Sequence, residues 1–252
     1  MKKQAYETYE IIQASLLAGK IMLESGAETY RVEDTMERIA ASYGIKNTHS
    51  FVTPTGIIFS IDGMEPTKLI RIVNRSTDLH KVTLVNSISR RISEGEIPPG
   101  MAHQMLKEVE STSNTYPLLL QIAAAAISSG CFLIMFEGEW VDFLPAMVCG
   151  GIGYSCILYF QRLVQIKFFA EFIASLLIGL LSVLLVGIGI GKELDKIIIG
   201  SVMPLVPGLL ITNAVRDLMA GHLVSGLSKG AEAFLTSFAI GTGIAVVFSL
   251  IK

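Results

Sequence analysis

Along the first hundred or so residues the apolar positions recur at steps of three and four. Tyr9, Ile12, Leu16, Gly19 and Leu23 share this spacing, which predicts one amphipathic helix. Ser25-Gly26-Ala27-Glu28 has the spacing of a capping box and predicts that one helix ends and the next opens there. The second helix turns Val32, Met36, Ile39 and Tyr43 inward, and Gly44 stops it. Residues 50–53 and 56–61 then read as two strands around a Pro54-Thr55-Gly56 turn. Asp62-Gly63 predicts a further turn, residues 67–73 a third strand, and residues 77–93 and 99–110 two more helices. A small α+β domain is expected over residues 1–115, with 111–115 linking it to the rest of the chain.

Beyond that linker the pattern changes to long apolar runs. A helix needs about 20 largely apolar residues to cross the hydrocarbon core of a bilayer. Five segments meet that length: 116–136, 140–160, 168–190, 197–215 and 231–251. The expected fold class is therefore a membrane protein: a small cytoplasmic α+β domain, residues 1–115, followed by an α-helical bundle of about five transmembrane helices, residues 116–252.

Charge sharpens this division. Residues 1–115 hold 13 of the 20 Lys and Arg and 14 of the 22 Asp and Glu. The few charges beyond lie mostly in gaps between apolar runs. Arg162, Lys167, Arg216 and Lys229 fall on one side of the expected bundle. Glu137-Gly138-Glu139, the segment from Lys192 to Lys196, and Lys252 fall on the other. With the charged domain at the amino end, the positive-inside rule predicts a multi-pass protein of the cell (inner) membrane, amino terminus in the cytoplasm and carboxyl terminus outside. Trp140, Tyr116 and Tyr159 near span ends suit interfacial anchors. No secretory signal follows Lys2-Lys3. The net charge of −2 and the lack of a basic patch exclude a nucleic-acid partner.

Candidate chemistry is sparse outside the membrane. Cys131, Cys149 and Cys156 lie in apolar runs without metal-ligand spacing, so no metal site is expected and buried thiols are. His49 and His80 are isolated, and no glycine-rich phosphate loop is present. Neither an enzyme nor a cofactor is expected, and no residue is assigned a catalytic role. Polar residues inside the spans carry more information, because each is costly there unless it faces a bundle interior or a water-filled path. Glu171, Ser175, Gly179, Ser182 and Gly189 share one face of span three, and Lys229, Glu232, Thr236 and Gly243 one face of span five. Asp142, Ala146, Gly150 and Gly153 form a small-residue stripe in span two. Such stripes also serve plain helix packing. Glu171 and Glu232 are candidates for proton coupling, or else interfacial carboxylates.

Span four is the most distinctive. Pro204 and Pro207 each remove a backbone donor and clash with the preceding turn, so the helix should break. A new helix would open near Pro207-Gly208, presenting unpaired N–H groups and a positive dipole end toward an anion. Further on, Thr212 and Arg216 share a face, as do Asn213 and Asp217. An arginine fork suits a carboxylate; a kinked structural helix with Arg216 snorkelling to the inner surface satisfies the same pattern. On the first reading the substrate site comprises Pro204, Pro207, Gly208, Thr212, Asn213, Arg216 and Asp217.

These residues also carry a resemblance. Gly26-Ala27-Glu28-Thr29-Tyr30-Arg31-Val32-Glu33-Asp34 resembles the amino-terminal signature of the bacterial threonine/serine exporter family. So does the stretch from Pro204 to Leu218 with Gly221, Leu223-Val224-Ser225-Gly226 and Glu232-Ala233. The resemblance implies a proton-driven secondary exporter of small carboxylate-bearing metabolites, amino acids such as threonine and serine or dicarboxylates. It covers one half of the two-part family pattern, which implies either a second small membrane subunit or a homo-oligomer. Within the cytoplasmic motif, Glu28, Thr29, Arg31, Glu33 and Asp34 suit either a ligand, a dock on the bundle, or a capped helix with a solvated face. The alternative function is a membrane-anchored regulatory or sensing protein acting through its cytoplasmic domain. Polar stripes and a doubly broken helix count against a plain anchor, since an anchor needs neither.

Overall fold

The structure is a computed structural model that describes residues 2–62, 65–112, 115–163 and 167–251, with side chains from Thr8 onward. Gly63 of the expected second turn, part of the 111–115 linker, the Lys167 side chain and Lys252 lie outside the described residues. The chain divides into two compact units, Met1–Asn114 with Leu209–Gly230, and Thr115–Gly208 with Ala231–Lys252. A segment late in the chain therefore groups with the amino-terminal unit.

In the first unit, helices α1 (Lys2–Glu24) and α2 (Thr29–Ser42) precede strands β1 (Thr48–Thr53), β2 (Gly56–Ile61) and β3 (Glu65–Arg71). Helices α3 (Leu79–Ser93) and α4 (Pro99–Ser111) come next. The sheet is antiparallel in the order β1-β2-β3. Pro54-Thr55 closes a two-residue hairpin, with Thr53 opposite Gly56. Strand side chains alternate between faces. Val52, Ile57, Phe59 and Ile61 turn into a core shared with Ile12, Met22, Val32, Met36, Ile39 and Leu106. The opposite face sets Phe51, Ile58 and Leu69 directly across from one another and exposed. Asp78 caps α3 by accepting from Lys81 N at 3.1 Å. The expected helices and strands are all present; α1 starts seven residues before Tyr9, and the elements given bounds moved by two residues or fewer.

The expected capping box is not. Glu28 is the N-cap of α2 and makes no side-chain capping bond. Ser25 belongs instead to the end of α1, where Gly26 at φ +88° closes the helix. There Ala27 N donates to Met22 O at 3.0 Å and Gly26 N to Leu23 O at 3.3 Å, the paired bonds of a helix closed by a left-handed residue. A β-carbon would be strained at that φ, so the turn requires glycine.

The second unit is helical: α5 (Leu118–Met135), α6 (Phe143–Leu163, preceded by a 3-10 turn at Trp140–Asp142), α7 (Lys167–Gly187) and α8 (Leu194–Val202) with a 3-10 turn at Met203–Leu205. Helix α9 (Gly208–Met219) from Leu209 onward and the first two turns of α10 (Leu223–Ile251) belong to the first unit, the remainder of α10 to the second. Four described helices are long and apolar enough to cross a membrane, and five if the bent pair Leu194–Leu205 and Gly208–Met219 is one span. The break expected in span four is present: Val206 is extended and the helix restarts at Gly208. Span five begins eight residues earlier than its apolar run, at Leu223.

Small residues set how closely the second unit's helices pack. A β-carbon on Gly243 would lie 2.6 Å from Phe172 O and nearer still to Ser175 Oγ. Gly153 faces Ile178 and Gly150 faces Ser129 in the same way. Ser175, Gly179 and Ser182 on α7, and Thr236 and Gly243 on α10, are buried as their stripes predict, whereas Gly189 is exposed. Asp142 is buried and accepts from Lys192 N at 2.7 Å and Glu193 N at 3.1 Å, fixing the loop that opens α8.

A candidate carboxylate site where helices α2, α9 and α10 meet

Within the first unit, α9 and α10 form a hairpin turned at Gly221, φ +88°. His222 N donates to Asp217 O at 2.9 Å and Gly221 N to Leu218 O at 3.1 Å, the same closure as at Gly26. Four-residue spacing puts Asn213 and Asp217 on the buried face of α9, while Thr212 and Arg216 are exposed. The two faces expected from the sequence are thus distinct in burial.

The buried face meets the start of α2. Asp217 is fully buried. Its Oδ1 accepts from Thr29 N at 2.8 Å, and its Oδ2 accepts from Thr29 Oγ1 at 2.9 Å and Lys229 Nζ at 2.7 Å. Lys229, 4% exposed, also donates to Thr29 Oγ1 at 3.2 Å and Ala27 O at 3.4 Å. Burying an isolated charge costs several kcal/mol (~3–5 when a partner is removed), and the cost is offset only where polar atoms are well paired. Here the ammonium places three hydrogen bonds and the carboxylate accepts three. Asp217 also caps α2 from a distance, its negative charge against the positive end of that helix. Asn213 Nδ2 donates to Gly26 O at 2.9 Å, tying the hairpin to the α1–α2 turn.

Beside this pair, Glu28 bridges two arginines. Its Oε1 lies 2.5 Å from Arg216 and its Oε2 3.0 Å from Arg31. Burial pushes the Glu28 carboxyl up, but bonds from its own backbone N–H, Arg216 and Arg31 outweigh it and hold the group below the usual carboxylate range. Glu33 lies one turn further along α2. Its Oε1 accepts from Val52 N at 2.8 Å, and its Oε2 sits 3.7 Å from His222 Nδ1. Burial raises the Glu33 carboxyl, against the lowering effect of the Val52 bond and His222. Ser225 Oγ completes the contact by donating to Val52 O at 3.0 Å.

The structure thus gathers Glu28, Thr29, Arg31, Glu33, Asn213, Arg216 and Asp217 in one cluster. Asp34 stands apart, on an exposed pair with Arg38 at 3.2 Å. Thr212 is on the exposed face of α9. Pro204, Pro207 and Gly208 form the helix break in the second unit, which also holds the buried Glu171 and the half-buried Glu232. Sequence reasoning put Lys229 on a polar stripe and on the basic side of the bundle, quoted Ser225 only as part of the family motif, and passed over His222. The signal for Lys229 was a cation on a polar stripe just before an expected span, but its partners are 12 and 200 residues away. Among the described residues, no group of three or more His, Cys, Asp or Glu could hold a metal ion.

The chain as a whole has counterparts among known proteins. The family model described as "Putative threonine/serine exporter" (ThrE) matches residues 13–251. The chain belongs to that family. The "Threonine/serine exporter" of Corynebacterium glutamicum is 24% identical over 241 residues, covering 92% of this chain and 49% of the relative. The "Probable threonine/serine exporter" of Mycobacterium tuberculosis is 23% identical, covering 95% of this chain and 46% of the relative. The chain thus spans about half the length of these two family members. A "Probable succinate transporter subunit YjjP" of Klebsiella aerogenes is 25% identical, with 99% of this chain and 97% of the relative covered. No solved structure matches the chain.

Proposed function

We propose that the chain is a subunit of a secondary membrane exporter of small carboxylate-bearing metabolites, threonine- or serine-like amino acids or dicarboxylates, coupled to protons. The observation that carries this reading is Arg216. It comes after the Pro204/Pro207 break, its side chain is 55% exposed, and it already holds a carboxylate, that of Glu28. A planar fork of this kind recognises carboxylates by two parallel bonds. The candidate substrate residues are Arg216, Asn213, Thr212 and Asp217 in the first unit and, in the second, Pro204, Pro207 and Gly208 of the break; Glu171 and Glu232 are the proton-coupling candidates. Tight union of the amino-terminal motif with α9 and α10 supports a working part of the carrier over a plain anchor. The relative named as a subunit, 97% of which is covered, supports a second small membrane subunit, a homo-oligomer being the other arrangement. On this reading the protein lies in the inner membrane, amino terminus inside and carboxyl terminus outside.

The test is transport of labelled L-threonine and of succinate in membrane vesicles carrying Arg216→Ala or Arg216→Lys. Both variants should impair transport, Arg216→Lys because the fork is lost although the charge remains. Normal kinetics in Arg216→Ala at wild-type membrane abundance would move the site elsewhere. The exposed row Phe51, Ile58 and Leu69 favours a second reading, a regulatory domain that binds a partner through its sheet. Leu69→Lys abolishing a signalling output while transport is intact would support that reading.

A further inference from the structure

Glu28 occupies the N-cap of α2, where a short polar side chain ordinarily turns back onto the helix's own N–H groups. Asp217 has taken that role by accepting from Thr29 N. The Glu28 side chain, relieved of capping, points its two oxygens at two arginines. The Glu28 side chain is 7% exposed, whereas that of Arg216 is 55% and that of Arg31 40% exposed. Two guanidinium groups thus hold one carboxylate, one at each oxygen, on side chains that reach solvent. Two cations face one anion, and the adjoining Asp217–Lys229 pair is neutral as a unit. With Glu33 counted the cluster is neutral overall, and its two arginines face a position that holds a carboxylate.

The geometry points to Arg31 and Arg216 as the two jaws of a carboxylate-binding site, with Glu28 as its tethered occupant, displaced when the carboxylate of the transported solute enters. This rests on the assignment of Arg216 to the substrate made under the proposed function, and adds Arg31 as a second recognition residue and Glu28 as a built-in competitor. The exchange keeps both charge-assisted bonds: one carboxylate leaves the arginines for water and another replaces it. Neither jaw is left unpaired, and a buried unpaired charge is what would make such a step costly. A tethered competitor also acts at high effective concentration, millimolar for short flexible tethers. The site therefore responds only when internal solute is abundant, as suits a carrier that should not drain scarce metabolites.

The experiment uses the full chain in inside-out vesicles from cells that retain any natural partner subunit. L-threonine, succinate and L-threonine amide, which lacks the carboxylate, are the probes. Glu28→Gln should lower the half-saturating concentration of the carboxylate probes, on the order of tenfold if the wild-type site stands open about one-tenth of the time. Arg31→Ala should raise it. Transport of L-threonine amide, however weak, should be unmoved by either change, a pattern that general loosening of α2 would not give. Should Glu28→Gln accumulate poorly, Arg31→Lys reports instead: charge is kept, the fork is lost, and half-saturation should rise for the carboxylates and not for the amide. An unchanged or raised half-saturation in well-expressed Glu28→Gln overturns the competitor role. Loss of transport in Arg216→Ala beside an unaltered Glu28→Gln would overturn only that role. Wild-type transport by Arg216→Ala would overturn the substrate assignment itself.

Discussion

Lys229 and Asp217 show what a buried charge requires of its neighbours. Lys229→Met leaves Asp217 buried without its cation and should destabilise the protein by ~3–5 kcal/mol. Thr29→Val removes a hydroxyl that serves both partners and should cost about 1–3 kcal/mol. Because the three residues act together, Lys229→Met combined with Thr29→Val should cost less than the two alone would sum to; thermal unfolding in detergent of the single and double variants measures this. Acid should act through Glu28. Its folded-state carboxyl lies below the ordinary value of 4.5, so its contribution is fully present above that value and fades as pH falls through the lowered one. Glu33, raised by burial, contributes in the opposite sense: its share is present below 4.5 and is lost as pH rises through the raised value. Glu28→Gln should flatten the acid limb of a stability–pH curve, and an unaltered limb would mean that Glu28 is not what titrates there. The residue types of this cluster were legible in the sequence, and so were the two faces of α9. The pairing was not. Local rules assigned the cap of α2 to Ser25 and Glu28, while the group that performs it lies 188 residues on, and periodicity carries no information at that range.

Helices in the second unit approach one another through residues without side chains, and α10 offers an internal comparison. A β-carbon on Gly241 would meet nothing within 4 Å, while one on Gly243 would press against Phe172 O and Ser175. Gly241→Ala should be neutral or stabilising by up to ~1 kcal/mol through helix propensity. Gly243→Ala should cost ~1–3 kcal/mol by forcing α7 and α10 apart, read from the same melting experiment; equal effects would show that the contact is not restrictive. Elements such as these are what hydrophobic periodicity reveals best. The four unbroken spans lie within a few residues of their expected positions at most ends, because apolar length is itself the physical requirement. Span four was legible as broken, since proline acts locally. That α9 would group with the amino-terminal unit was not, because its apolar face reads the same whether lipid or protein covers it.

At the scale of the molecule, five crossings predict that reporters fused after residues 111, 139, 165, 193 and 252 read inside, outside, inside, outside and outside. A cytoplasmic signal at residue 252 would reject that topology, including the crossing made by the bent pair. Transport should require a partner membrane protein or a second copy, since paired repeats are what alternating access commonly uses; activity from vesicles holding single copies would exclude this. The division of the chain has its own consequence for how the protein is made. The amino-terminal unit is completed by residues 209–230, which leave the ribosome only after α5 to α8 have been synthesised. Until then α2 lacks the carboxylate that satisfies Thr29 N, and Gly26 O and Val52 O lack their donors Asn213 and Ser225. A fragment ending at residue 115 should therefore be a weaker folding unit than the same residues in the whole chain, with exchange of the Thr29 amide proton accelerated toward that of an open helix end. Supplying the α9–α10 hairpin in trans should slow that exchange again, so a single amide would time the moment in biosynthesis at which the two ends of the chain meet.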